Sequence, residues 1–114
     1  MTAMQAITRA DALMPNQFSE AEKLMWLETL DTVMANELDG MAFPEEHYDA
    51  DTVLAASGAY EEMYIHWLHA KQLYFLGEFT RYQNASAQFA DVYRSFEAAR
   101  IRAEKPRAKA ALHY

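Results

Sequence analysis

The chain contains no cysteine among its 114 residues, which removes disulfides, thiol nucleophiles and cysteine-held metals from consideration. Its three glycines are scattered, so neither a phosphate-cradling loop nor a dinucleotide fingerprint can be assembled, and no Gly-x-Ser-x-Gly elbow occurs. Three prolines and three glycines also argue against a loop-rich all-β domain. No apolar run reaches the roughly 18–20 residues that cross a bilayer, and the first residues lack the basic-then-apolar order of a secretion signal. A soluble protein, intracellular when made and without membrane contact, is the expectation. Bases are scarce at first: residues 1–62 hold thirteen acids against Arg9 and Lys23, a balance of −11. Residues 63–114 hold eight bases against four acids, a balance of +4, and the two halves give the net charge of −7.

What is present is apolar and aromatic side chains, 52% and 13% of the chain, enough for one packed core in a single domain. Thr2 is a candidate N-cap for a helix over 2–14 with a stripe of Ile7, Ala10, Leu13 and Met14, ended by Pro15. Ser19 and Glu22 form a capping box for a second helix that runs to about Asn36, and Phe18 stands where a hydrophobic staple begins. Leu24, Leu27, Leu30 and Met34 give its buried stripe, widened by Trp26 and Val33, with Glu28 and Asp31 outside it. Residues 37–58 read as a long acidic loop in which Thr52, Val53 and Leu54 can form a short strand. Such a loop can add backbone hydrogen bonds to a neighbouring chain, so Phe43, Tyr48, Val53 and Leu54 are candidate subunit contacts.

A third helix over 59–76 carries apolar residues around much of its circumference, which places it centrally or partly against another subunit. Gly77 suits the left-handed position after a helix end and predicts a hairpin into a fourth helix over 79–102. There Tyr82, Phe89 and Phe96 recur every seven residues beside Ala85, Val92 and Ala99, a seam for close packing on helix three. Pro106 ends that helix in this reading, leaving 102–114 as an extended basic tail behind a domain of 1–101. The fold class is therefore all-α, about four helices with a C-terminal hairpin, a long central loop and the tail.

Glu62, His66 and His69 share one helix face at a spacing that can hold a divalent ion, but the sequence has neither His-Glu-x-x-His nor the paired Glu-x-x-His of di-iron bundles. Solvent-facing polar residues are the preferred reading, with no metal and no cofactor, and no enzyme is expected. The basic cluster Arg100, Arg102, Lys105, Arg107 and Lys109, with His113 and Tyr114 nearby, invites thoughts of nucleic acid, yet an isoelectric point near 5.0 opposes phosphate attraction. A solvated tail and a protein-docking arm remain as readings of that cluster. The charge asymmetry likewise allows either a solvated acidic face or head-to-tail pairing of copies, which closes into a ring when the rotation permits.

Pro15-Asn16, Phe18-Ser19 and Trp26-Leu27, then Tyr60-Glu61-Glu62 with Tyr64, resemble the tailed-phage and prophage head-to-tail connector (adaptor) proteins. The same holds for Gly77-Glu78, Arg81-Tyr82, Asn84, Phe89, Tyr93 and Phe96, so that the likeness spans residues 5–101. Where many relatives have a proline before the third helix, this chain has Ser57-Gly58-Ala59. The resemblance implies a structural virion protein of the neck, made in the host cytoplasm, that forms a homo-oligomeric ring of about twelve copies beneath the portal protein. It implies further contacts with a head-closure or tail protein and non-specific contact with passing DNA, which an acidic inner surface would let slide. Arg100, Arg102, Lys105, Arg107, Lys109 and Tyr114 are then candidates for docking on the portal or on an adjacent subunit. The alternative is a small acidic regulatory or inhibitor module that binds one protein partner.

Overall fold

The computed structural model describes residues 1–44 and 46–112, with side chains as far as Ala103. It is all-helical: α1 spans Ala3–Leu13, α2 Glu20–Glu37, α3 Glu62–Phe75 and α4 Phe79–Leu112, with one 3₁₀ turn at Gly58–Glu61. Both expected start signals operate. The Thr2 hydroxyl accepts from Gln5 N while the Gln5 side chain accepts from Thr2 N, and Ser19 and Glu22 make the same reciprocal pair. Each box satisfies two backbone donors that a helix start would otherwise leave bare. Phe18 does not close a staple but sets its ring edge-on to Trp26, 5.4 Å between centroids.

Ile7 and Ala10 of α1 enter the core with Ala3 and Ala6, and the small alanines bring α1 close to α3; Leu13, expected on that stripe, is exposed. From α2 come Trp26, Leu27, Leu30 and Met34. Central α3 contributes Met63, Tyr64, Ile65 and Leu68, and it packs on all three other helices, which explains its wide apolar arc. Its first turn differs from expectation: Gly58–Glu61 are 3₁₀ and the α-helix begins at Glu62.

The α3–α4 hairpin turns at Gly77. Gly77 takes φ 75°, its N–H bonds the Tyr74 carbonyl at 3.1 Å, and Glu78 N–H bonds the Leu73 carbonyl at 3.0 Å. These two reverse bonds are a Schellman motif, which needs a left-handed residue at this place. The returning helix pairs its seven-residue aromatic series with another one. Tyr82 meets Tyr74 at 5.6 Å, Phe89 meets Trp67 at 5.2 Å and Phe96 meets Tyr60 at 5.2 Å, so two antiparallel series in step form a three-rung ladder. Ala70, Leu73 and Ala85 fill the space near the turn.

α4 does not end at Arg102 but runs on to Leu112 with Pro106 inside it. A proline there lacks the N–H that would bond back one turn, a local loss that a helix can survive with a bend. At about 1.5 Å per residue the 34 residues of α4 reach about 51 Å, which accounts for most of the molecule's 58 Å length.

Candidate interaction surfaces

The segment between α2 and the 3₁₀ turn forms no helix or strand among its described residues, yet polar bonds hold it to the domain. Asp31, read from sequence as lying outside the buried stripe, is 1% exposed. Its position follows from helical geometry, because Lys23, Leu27 and Asp31 succeed one another at four-residue steps and so share a face. One carboxylate oxygen accepts from the Tyr64 hydroxyl at 2.6 Å; the other accepts from the Tyr48 hydroxyl and from Ala55 N at 3.1 Å. Tyr64 in turn accepts from Ala56 N at 2.8 Å. Burial, then the Asp31 charge, push the Tyr64 hydroxyl well above its ordinary ionisation range, and burial together with the bond to Asp31 does the same to Tyr48.

Glu28, one turn before, accepts from Tyr48 N at 3.0 Å and lies 3.3 Å from His47 Nδ1. The far end of the segment binds the N-terminus: Ala3 N donates to the Thr52 carbonyl, Met4 N to the Ala50 carbonyl and Leu54 N to the Met1 carbonyl. Thr52 to Leu54 thus make one isolated antiparallel bridge, Thr2 to Val53, instead of a strand. These backbone bonds stay within the chain, and two of them satisfy first-turn N–H groups of α1.

A second buried ion among the described residues is Lys23, whose ammonium bonds both oxygens of Asp11 at 2.9 Å, tying α2 to α1. Asn16 donates to the same carboxylate, so the Pro15-Asn16 step is held by its own hydrogen bonds. His69 Nε2 donates to the Ala10 carbonyl at 3.0 Å and closes the end of α1. Burial lowers the basicity of His66, against the opposing charge of Glu62. No three His, Asp or Glu residues gather to hold a metal ion among the described residues. None of the described helices is long and apolar enough to cross a membrane.

Three surface features stand out among the described residues. At the hairpin tip, Tyr74, Phe75, Leu76 and Phe79 are each more than half exposed. Phe75 stacks on Trp26, centroids 5.7 Å apart, and Tyr74 touches Phe75, Phe79 and Tyr82, so one sheet of rings continues from the core onto the surface. An apolar hollow of about 390 Å³ between Phe18 and Leu76 adjoins it. The four residues leave bare on the order of 400 Å², the size of the largest apolar patch on an ordinary monomer, a patch that is often functional.

The second feature is an open cleft of about 400 Å³ lined by Phe43, Glu46, His47, Tyr48, Asp49 and Val53 among others of the 42–55 segment. Phe43 and Val53 are exposed there; Tyr48 is half-buried with its hydroxyl spent on Asp31; Leu54 is buried in the chain's own core and offers no surface. The third is the far end of α4. Arg100 is half-buried, donates to the Asp39 carbonyl at 2.6 Å and lies against the Phe96 ring, while Tyr93 donates to Glu37 at 3.2 Å. Burial and the Glu37 charge push the Tyr93 hydroxyl up to about 12. Arg102 is exposed; Lys105, Arg107 and Lys109 lie on α4 with side chains outside those described, and His113 and Tyr114 lie outside the described residues.

The chain matches no family model, no curated protein and no solved structure.

Proposed function

We propose that the chain is a structural protein of the phage neck, a head-to-tail connector that assembles as a ring of about twelve copies beneath the portal and continues the DNA channel toward the tail. The observation that carries this reading is the aromatic hairpin tip, where Tyr74, Phe75, Leu76 and Phe79 crowd together in water although the same chain buries a complete core elsewhere. Large rings at a rigid, tightly capped turn are what a permanent protein contact uses, since they bring much area at little conformational cost. The resemblance of the chain to connectors supplies the particular partners: a portal, neighbouring copies, and a head-closure or tail protein. No chemistry is required of such a part, and the buried Asp31 and Lys23 are both engaged in holding the fold together.

Replacing Leu76 by Ser and Phe79 by Asp tests the reading. These side chains have little to lose in the isolated chain, so the unfolding midpoint should stay near that of the natural protein while capture by a portal ring, or ring formation, is lost. Undiminished assembly would remove the tip from the contact. A chain that stays monomeric, ignores the portal and instead occupies one other protein through the tip would be the regulatory module.

A further inference from the structure

The aromatic ladder sets Gly58, where the 3₁₀ turn begins, opposite Ala98 of α4, so beyond that point α4 outruns the elements it packs on. Arg100 fixes the helix to Asp39, and residues 101–112 carry it on by about 18 Å. That stretch of sequence holds Arg102, Lys105, Arg107 and Lys109 against Glu104, a balance of +3, with Ile101 exposed at its root. The segment leading to the cleft has the opposite character: residues 37–53 hold six acids and no lysine or arginine. The cleft is lined by the 42–55 segment alone, and pairs exposed Phe43 and Val53 with the carboxylates of Glu46 and Asp49.

We infer that the C-terminal end of α4 of one copy seats in the 42–55 cleft of a second copy. A cleft that sets exposed Phe43 and Val53 beside carboxylates fits a basic helix with an apolar Ile101 at its root, and a chain that carries both halves of a charge-complementary contact on different surfaces makes a heterologous, head-to-tail interface. Asp31 and Glu28 hold the cleft in place from beneath, so it is formed before the helix arrives. The contact rests on the connector reading in one respect, that the second copy is the neighbour in the ring.

The test uses the full chain in sedimentation or native mass measurements in low and in high salt. One variant reverses the arm, Arg102→Glu with Lys105→Glu and Arg107→Glu; another reverses the cleft, Glu46→Lys with Asp49→Lys. All five positions are on the surface or on the projecting helix end; helical content checks that each variant folds, and protection of the Ala55 amide, bonded to Asp31, checks that the cleft variant keeps its segment in place. Each variant alone should associate at least about tenfold more weakly than the natural chain, and the natural association should weaken with salt. Mixing the two variants should restore association, because an acidic arm then meets a basic cleft and a basic arm an acidic one. Unchanged association in either variant, no rescue on mixing, or a natural chain that stays monomeric at all concentrations overturns the contact. If the arm variant loses only portal capture, the arm docks elsewhere and the inference fails while the connector reading stands; a chain that neither rings nor meets a portal defeats that reading separately.

Discussion

Replacing Asp31 by Asn would perturb the single carboxylate that gathers three donors from two distant segments. An amide keeps one acceptor oxygen. If that oxygen serves Tyr48 and Ala55 N, the amide nitrogen faces the Tyr64 hydroxyl, which already accepts from Ala56 N and now loses its own acceptor. One charge-assisted bond disappears, worth about 1.5–3 kcal/mol, and two become neutral; easier burial of an amide than of a carboxylate offsets part of this. The expected net loss is about 2 kcal/mol for Asp31→Asn and about 4 kcal/mol for Asp31→Ala, which orphans all three donors. Against a total stability of about 5–15 kcal/mol the alanine variant gives up between roughly a quarter and most of the fold's margin. Urea titration measures the loss, and hydrogen exchange at Ala55 and Ala56 reports whether the segment has come free. A double-mutant cycle with Tyr64→Phe should give a coupling of about 1–3 kcal/mol. If Asp31→Asn stays within about 0.5 kcal/mol of the natural protein and the two amides remain protected, the carboxylate is not the anchor described.

Gln72 is wholly buried on α3 with neither amide atom paired, so Gln72→Met, similar in length and free of polar atoms, should gain about 1–2 kcal/mol in urea titration; a loss would show that the amide has a partner. Tyr64 gives a pH dependence of definite sign. Its folded-state ionisation is raised, so above about pH 10 the unfolded chain releases a proton the folded chain keeps, and stability falls as pH rises by up to about 1.4 kcal/mol per pH unit. Tyr48 and Tyr93 are raised too and add slopes of the same sign, so Tyr64→Phe should make the alkaline slope shallower without abolishing it, and an unchanged slope would contradict the assignment. Gly77→Ala meets no steric obstacle but forces a side chain to φ 75°, costing about 1–2 kcal/mol by thermal unfolding; no cost would mean the turn reorganises.

Helix existence was legible because capping boxes and three- and four-residue apolar spacing are local properties, and Thr2, Ser19 and Gly77 sit where those rules place them. The 82, 89, 96 series was legible too, but its partner series Tyr60, Trp67 and Tyr74 obeys the same spacing and went unpaired, since pairing is a tertiary fact. Asp31 was missed for a different reason: charge outweighed position, although the four-residue step from Leu27 puts it on the buried face. The path of the 38–57 segment depends on bonds to Met1, Ala3, Glu28 and Asp31, residues 20 or more positions away for the most part, and no local pattern encodes them.

The most direct test of the connector reading is the mass of the purified chain in solution, alone and mixed with a portal ring, by native mass spectrometry. A species of about twelve 13.1 kDa copies, alone or captured in fixed proportion by the portal, is the predicted result. A 13.1 kDa monomer that remains so in both samples would contradict it.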